Sequence, residues 1–540
     1  MAGRSDEQDT QRLSEYERLQ AAHLAVSASP VDPGFDEFAR LVPCNPAARL
    51  AFHDLALELT KTKDLAHYQK FMHVSSHVPT GDLSAKKSLL RREDTDSDFS
   101  DSSMDQAGPT TQYTGHFRFS LSCLPTDFRR GWVVGAGRRD QPDLGVDFRI
   151  TMNGARDYVR GRHVQFLHNR EFGTFLFKAI STRLHTSLNG MVVDKEGCLV
   201  SHPSQNIGIG NLTYNLEFAQ DDAVKARYIR GLHDLMRENP RFQRYPMSSF
   251  DPTPAANQYI IDRYLIQAPQ AAGAYGVVSA AAHLTTGNVY AVKRLTRTDH
   301  NRNSIRHEVE IMEVVGNHPH VCSLVDTDFG KADRRSLRTS RVDTVHLILT
   351  PLATRTLEAF VGGLEARPLC LKALHHVAQG LRHIHAMGII HRDVKPSNLL
   401  IAEPFRVVVA DFGHSTHEKA SRNHKMGTIW YLAPEIVELK TSSHAKGHWS
   451  PASDVFAYGL VGYELIHGEI RRAGGFINNT VLDRLLTMVN GSQEPIDTLL
   501  QASLSRDPDQ RPSMSDICLE SFWGEAETTT NDSKRKPPLE

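Results

Sequence analysis

The sequence predicts a multidomain chain in which an antiparallel β-sandwich is followed by a larger domain of mixed α and β structure. At 540 residues the chain exceeds what one hydrophobic core normally holds, and 40% hydrophobic residues can fill more than one. Between Gln112 and Phe218 apolar residues come in short alternating runs separated by Gly, Asn and Asp turns, the pattern of a sandwich of about a hundred residues. Beyond about residue 258 the texture changes to apolar strands, helical runs and two polar turns. The turns are His391-Arg392-Asp393-Val394-Lys395-Pro396-Ser397-Asn398 and Asp411-Phe412-Gly413, joined by a hairpin that starts at Leu399-Leu400-Ile401.

Composition narrows the function classes. A net charge of −1 removes the electrostatic argument for a nucleic acid or an anionic membrane as partner. Cys44, Cys123, Cys198, Cys322, Cys370 and Cys518 lie far apart with no C-x-x-C pair. They read as reduced thiols, not as a disulfide framework or a zinc site. The first twenty residues are polar and charged, which predicts no signal peptide, and no apolar run approaches membrane-spanning length. The expectation is a soluble intracellular protein of the nucleus or cytoplasm.

Taken in order, residues 1–82 form a charged, partly helical region. A short helical pattern surrounds Leu13, Tyr16 and Leu19, and apolar residues at three- and four-residue spacing (Leu55, Leu57, Leu59, Tyr68, Phe71) predict a small helical segment. Residues 83–111 are acidic and serine-rich, with too little apolar surface to offset ordering, and are expected to be disordered. Thr95 and the neighbouring serines are candidate phosphorylation sites or simply a solvated spacer. Residues 112–220 hold the sandwich, with strands on Phe117–Phe119, Trp132–Val134, Val164–Phe166, Thr174–Phe177, Met191–Val193 and Ile207–Gly210. Residues 221–257 add an amphipathic helix, expected to pack between the domains, and a linker with Pro246, Pro252 and Pro254. The mixed domain spans 258–524, and a polar tail, 525–540, ends the chain.

Four short motifs in the sandwich, Gly137-Arg138, Arg160-Gly161-Arg162-His163, Ser187-Leu188-Asn189-Gly190 and Ile207-Gly208-Ile209-Gly210, resemble a forkhead-associated (FHA) domain. The resemblance implies recognition of phosphothreonine-containing proteins through loops at one end of the sandwich, where an arginine and neutral donors meet the phosphate. Arg138 matches the family's phosphate-contacting arginine, Asn189 the asparagine that holds the peptide backbone, and His163 the internal histidine that ties the loop together. Arg160 stands where the family has a serine, which puts bidentate contact in place of a single hydroxyl.

The two polar turns suit phosphoryl transfer from a nucleotide to a hydroxyl. That reaction needs a carboxylate to orient the hydroxyl and metal ions held by oxygen ligands against the phosphates. Asp393 supplies the carboxylate. Asn398 and Asp411 supply oxygens on either side of a tight hairpin, and Lys395 places positive charge beside Asp393. Asp328-Phe329-Gly330 repeats the second turn, but it precedes the loop and follows an apolar run, so it reads as an ordinary turn.

In order and spacing these residues resemble the eukaryotic protein kinases, which implies a two-lobed α+β fold and the cofactors ATP and Mg2+. Gly273, Gly276 and Val278 fall in the place of the glycine-rich loop, with Ala271 where the family has its first glycine. Ala291-Val292-Lys293 ends an apolar strand, and the resemblance makes Lys293 the ligand of the α- and β-phosphates. Glu308 is its carboxylate partner, since Glu310 and Glu313 fall on other faces of that helix. Leu349 and Leu352 border the adenine site. Thr428, in Gly427-Thr428-Ile429-Trp430-Tyr431-Leu432-Ala433-Pro434-Glu435, is expected to pair with Asp393 and Lys395. Asp454 is expected to brace the catalytic loop, and Arg511 to pair with Glu435. His375, His376, His383 and His385 read as packing residues of one helix, not as metal ligands.

The expected function is therefore a serine/threonine protein kinase acting on protein substrates. The alternative, suggested by Ala271, is a phospho-dependent scaffold with a weakly active kinase lobe. Arg392 beside Asp393 points either to control by a phosphorylated activation segment, with Ser415, Thr416 and Ser421 as candidates, or to an arginine satisfied by backbone carbonyls.

Overall fold

The computed structural model describes residues 37–62, 65–79, 111–137, 145–181, 184–238, 250–255, 258–273, 276–328, 343–353, 355–361, 367–402, 405–417, 427–441, 448–470, 479–490 and 492–523. The helix signal around Leu13, the acidic segment 83–110, Arg138, Ser421 and the tail from 525 lie outside the described residues. The chain divides into two compact units. One is built mainly on residues up to 245 and the other mainly on residues from 289, with the stretch between them shared out.

The first unit holds two sheets. Its strands are β1 (Glu37–Pro43), β2 (Met72–Pro79), β3 (Thr111–Ser120), β4 (Trp132–Gly135), β5 (Phe148–Arg149) and β6 (Val164–His168). They continue with β7 (Phe175–Ala179), β8 (Thr186–Leu188), β9 (Met191–Val192), β10 (Cys198–Leu199), β11 (Ser204–Ile209) and β12 (Leu212–Phe218). One sheet runs β2-β3-β1-β12-β11-β8-β9 and the other β10-β7-β6-β4-β5. Aromatic side chains fill the space where they face each other. Phe38 of β1 meets Trp132 of β4 edge-on at 5.8 Å, Phe119 of β3 meets Phe166 of β6 at 5.0 Å, and Phe117 stacks on Phe148 at 5.8 Å. Fully burying one such ring contributes about 1.5–3 kcal/mol.

The sandwich begins earlier than its local pattern suggests. The stretch from about Phe35 to Phe71, read from the sequence as a small helical segment, holds α1 (Pro46–Lys61) and the single turn α2 (Ala66–Gln69) as its described helices. On either side of these helices, β1 lies between β3 and β12 and β2 forms a sheet edge. Register shifts at Glu37/Ala39 and Ser75/His77 interrupt the two-residue alternation that would have marked the strands. Asn45 starts α1 by accepting from the Ala48 N–H at 2.9 Å, with Pro46 in the first helical position. The buried stripe of α1 is Ala48, Ala51, Phe52, Leu55 and Ala56, so Leu57 and Leu59 fall off it.

Helix α3 (Asp222–Glu238) buries Val224, Tyr228, Leu232 and Met236, one residue per turn. Tyr228 stacks on Phe38 at 4.3 Å and shares a 2.8 Å hydrogen bond with His168, so this helix packs on the sandwich.

A six-stranded sheet follows, ordered β13-β14-β15-β16-β18-β17. Its strands are β13 (Tyr259–Ile261), β14 (Tyr264–Gly273), β15 (Gly276–His283), β16 (Val289–Arg297), β17 (Ser323–Asp328) and β18 (Asp343–Thr350), with α4 (Arg302–Val315) between β16 and β17. A helical part follows: α5 (Arg367–Ala386), α6 (Pro434–Thr441), α7 (Pro451–His467), α8 (Asn479–Val489), α9 (Pro495–Ser503) and α10 (Met514–Cys518). A small sheet of β19 (Arg355–Thr356), β20 (Leu399–Ala402) and β21 (Arg406–Val409) lies at its start.

Helix α7 is apolar on every face and buried from Ser453 to Leu465, as a helix must be when others surround it. Ser450 and Ser453 form a capping box at its start, which fixes where its first turn begins. Leu374, Val377 and Leu381 of α5 join Val461 and Leu465 of α7 and Leu500 of α9 in one core. All six cysteines are free, and among the described residues no helix is long and apolar enough to cross a membrane.

Candidate active site

The site is built outward from the buried first turn of α7. Asp454, 1% exposed, accepts from the backbone N–H of His391 at 2.8 Å and of Arg392 at 2.9 Å, and shares a 2.9 Å bond with His385 of α5. Burial pushes its carboxyl up, but the hydrogen bond and charge of His385 and the contacts with His391 outweigh this and hold it below the usual carboxylate range. A fixed anion at this point pins the backbone that leads to Asp393. Arg392 and Asp411 both adopt a left-handed φ of 68°, a conformation that costs a non-glycine residue free energy; at Arg392 the bond from its N–H to Asp454 helps retain it.

Asp393 is buried and held from both sides. Its Oδ1 accepts from Thr428 N at 2.9 Å and Thr428 Oγ1 at 2.6 Å, and its Oδ2 from Asn398 Nδ2 at 2.8 Å. Lys395 Nζ lies 2.9 Å from Oδ2 and donates to Thr428 Oγ1 at 2.7 Å. Burial alone would raise the Asp393 carboxyl. The hydrogen bonds from Thr428 and Lys395, with the Lys395 charge, reverse that and keep it ionised. A cleft of about 760 Å³ opens beside Lys395 and Thr428, lined also by Glu358, Trp430, Tyr431 and Arg484, with room for a substrate chain.

Strand β16 pairs with β18 so that Ala291 faces Leu349 and Lys293 faces Leu347. This register delivers Lys293 to α4, where its Nζ donates to Glu308 Oε1 at 2.7 Å and reaches Asp411 Oδ1 at 3.3 Å. Burial pulls the Lys293 ammonium down, but the two carboxylates more than compensate and raise it, so it stays charged. Gly276 opens β15 at φ +124°, and a Cβ there would lie 2.5 Å from the Arg294 carbonyl, so this position is restricted to glycine. Gly273 ends β14, Val278 is half-buried on β15, and Leu352 is buried just past β18.

Asn398 and Asp411 meet the chemistry of a magnesium site. The Asn398 amide nitrogen donates to the carbonyl and carboxylate of Asp393, which leaves the amide oxygen as the end suited to a hard cation. The Ala410 N–H donates to the Asn398 carbonyl at 2.9 Å, tying the two polar turns together. Among the described residues no three His, Cys, Asp or Glu side chains are arranged to hold a metal. Two protein oxygens therefore fit an ion whose other ligands are phosphates and water, not an all-protein cage.

Residues 271–523 match the family described as Protein kinase domain. This stretch is a protein kinase domain. The chain is 29% identical over 271 residues to the interferon-induced, double-stranded RNA-activated protein kinase of Mus musculus, covering 45% of this chain and 48% of that one. It is 31% identical over 216 residues to cell division control protein 2 homolog 3 of Trypanosoma brucei brucei, covering 39% of this chain and 64% of that protein. It is 26% identical over 318 residues to the serine/threonine-protein kinase TOS3 of Saccharomyces cerevisiae, covering 50% and 54%. The matched region thus spans between about half and just under two thirds of these relatives.

Within the kinase domain, Arg511 forms a two-pronged ion pair with Glu435, 2.8 Å on each arm, with its own side chain fully enclosed. Arg392 donates to the carbonyls of His414 and Ser415, the backbone-satisfied alternative. Two phosphorylation candidates are corrected. Ser415 is 0% exposed and donates to the His391 carbonyl, and Thr416 is 6% exposed and bridges Ile390, so neither hydroxyl is presented for modification. The helix histidines pack as expected: His376 stacks on His320 at 4.2 Å, His383 on His318 at 4.5 Å, and His375 on Trp523 at 5.0 Å. Asp328 ends β17, with its carboxylate 3.3 Å from His346 Nδ1. His414, which follows the second turn, lies with its Nδ1 3.6 Å from Asp393 Oδ2; no sequence signal marked it.

In the sandwich, His163 is fully buried and its Nδ1 accepts from the Arg160 N–H at 3.1 Å. Burial drives His163 down to about 4, so the ring is a neutral acceptor. Asn189 is buried at φ 50°, and its side-chain oxygen is occupied by the Asn206 N–H at 2.8 Å. Arg160 is exposed.

Proposed function

We propose that this chain is an ATP- and Mg2+-dependent serine/threonine protein kinase, directed to its partners by phosphothreonine recognition through the FHA-like sandwich. The observation that carries the catalytic half is the unbroken set of contacts from Glu308 through Lys293 to Asp411, and from Asp393 to Asn398, Lys395 and Thr428. It also favours activity over the scaffold alternative, because the lysine–glutamate pair is already closed at 2.7 Å.

Each residue has a separate task in this reading. Lys293, fixed by Glu308, neutralises the α- and β-phosphates. Asn398 and Asp411 hold the metal, which when bound screens the charge of the phosphates. Asp393 orients the substrate hydroxyl and takes its proton, and Thr428 fixes the carboxylate by donating to Oδ1 from both its N–H and its hydroxyl. Lys395 stays beside the transferring group, where negative charge develops.

The sandwich half is supported by the His163-tied loop carrying Arg160, and Arg138 and Asn189 are the further phosphopeptide residues it implies. For the catalytic half, purified protein given magnesium and labelled ATP transfers phosphate to a serine or threonine substrate, and Asp393→Ala loses that transfer. Activity that survives the substitution refutes the assignment.

A further inference from the structure

Two pairs of imidazole rings join the loop that leaves α4 to helix α5. His318 stacks on His383 with ring centroids 4.5 Å apart and 12° between planes, and His320 stacks on His376 at 4.2 Å and 21°. The loop lies directly on α5 at Gly380, where a Cβ would stand 2.4 Å from the His320 carbonyl oxygen. His383 also donates from Nε2 to the carbonyl of Val315, the last residue of α4, at 2.8 Å. The rings therefore tie the end of the helix that carries Glu308 to α5.

Backbone bonds fix where the ring protons sit. His320 Nδ1 donates to the Val407 carbonyl at 3.1 Å. His318 Nδ1 accepts from the His320 N–H at 3.2 Å, and His376 Nδ1 accepts from the Val407 N–H at 3.3 Å. Each of these two acceptors, when neutral, carries its proton on Nε2, so a second proton can enter only at Nδ1. There it sets a donor against a backbone donor and places a cation against the stacked partner ring. The other titratable or charged groups that face the rings are Lys372, His375 and Arg382 on α5 and Arg406 on β21, all basic. Burial first, and then these neighbours with the partner rings, lowers His318 to about 4 and His376 to about 3.

We propose that the four rings form a proton-sensitive latch, in which protonation of His318 and His376 at Nδ1 releases the loop, and with it the end of α4, from α5. With α4 loose, Glu308 no longer holds Lys293. A released ring takes up its proton at the ordinary histidine value of about 6.5. Opening therefore becomes about tenfold more favourable per ring for each pH unit below 6.5, or about a hundredfold at pH 5.5 for the two together. The closed latch is thus at full strength above 6.5 and weakens as pH falls, the direction for a histidine lowered by folding. The effect on catalysis rests on the role of Glu308 proposed above; the release of α4 does not.

The test compares the full chain with the double variant His318→Asn/His376→Asn, in which an amide oxygen keeps the acceptor in the place of Nδ1 but takes no proton. Hydrogen exchange of peptides from residues 302–315, corrected for the intrinsic pH dependence of exchange, is read from pH 8 to pH 5.5 beside initial rates of phosphate transfer and thermal melting. In the wild type, protection of α4 is expected to fall at least tenfold between pH 7 and pH 5.5 while the domain stays folded, and kcat/KM to fall at least threefold more than in the variant. The same pH dependence of protection in wild type and variant overturns the latch, as does loss of protection only where the whole domain melts. Loss of α4 protection in the wild type alone, with equal rate profiles, supports the latch and refutes the coupling through Glu308. If the double variant does not fold, His318→Asn alone, at the less enclosed of the two rings, decides by the same comparison.

Discussion

Replacing Asp454 with asparagine tests how the catalytic loop is held. The carboxylate accepts three hydrogen bonds, from His391 N and His385 on Oδ2 and from Arg392 N on Oδ1. An asparagine of the same shape has one acceptor oxygen. Turned to keep His391 and His385, it points its amide nitrogen at the buried Arg392 N–H, donor against donor. The lost bond to an ionised group and the unsatisfied donor together cost roughly 2–4 kcal/mol. For a domain of this size that lowers Tm by roughly 4–16 °C, at about 2–4 °C per kcal/mol. The loop then shifts where Asp393 is attached, and a displacement of about 1 Å lowers kcat on the order of a hundredfold. Calorimetry and steady-state phosphotransfer on Asp454→Asn read both effects. A Tm within about 1 °C of wild type with unchanged kcat refutes the bracing role, since the estimate above requires a larger loss of stability.

Two further outcomes follow from the same contacts. Glu308→Gln removes the anion that fixes Lys293 at 2.7 Å, leaving only Asp411 at 3.3 Å, and kcat/KM falls by roughly 10- to 100-fold in steady-state assays, a loss of about 1.4–2.7 kcal/mol. His376 is lowered to about 3, by burial first and then by its neighbours His320, Lys372, His375 and Arg406. The unfolded chain therefore takes up a proton near pH 6.5 that the folded chain refuses until about pH 3, and stability falls as pH drops through that window. At pH 5 the loss from this one group is about 2 kcal/mol, and His376→Gln, followed by melting curves from pH 7 to pH 4.5, flattens the acid limb.

The catalytic site was legible because its chemistry restricts residue type and spacing together. Asp393, Lys395 and Asn398 sit within six residues of one another, and Asp411 follows across a two-stranded hairpin. The sequence places them in one loop, which Asp454 and Thr428 help to hold. Glu308 was legible for a different reason, since Ile311 and Met312 mark the buried side of its helix.

What was hidden depends on distant pairing. Strand β1 is specified by β12 at the other end of the sandwich, and a bulge breaks its alternation, so its residues blended into the helical pattern of α1. Ser415 and Thr416 looked available because their burial, with Ser415 held by the His391 carbonyl and Thr416 bridged to Ile390, leaves no local trace. His414 belongs to no motif. Its position beside Asp393 follows from tertiary packing alone.

In the proposed mechanism, side chains scattered from Lys293 to Asp411 act together on a magnesium-bound triphosphate. Isothermal titration of ATP into the full chain, with and without magnesium, on the wild type and on Asp411→Asn, tests it most directly. Magnesium is expected to tighten ATP binding in the wild type, and Asp411→Asn is expected to lose this magnesium dependence. Equal affinity with and without magnesium in the wild type, or an undiminished magnesium effect in the variant, contradicts it.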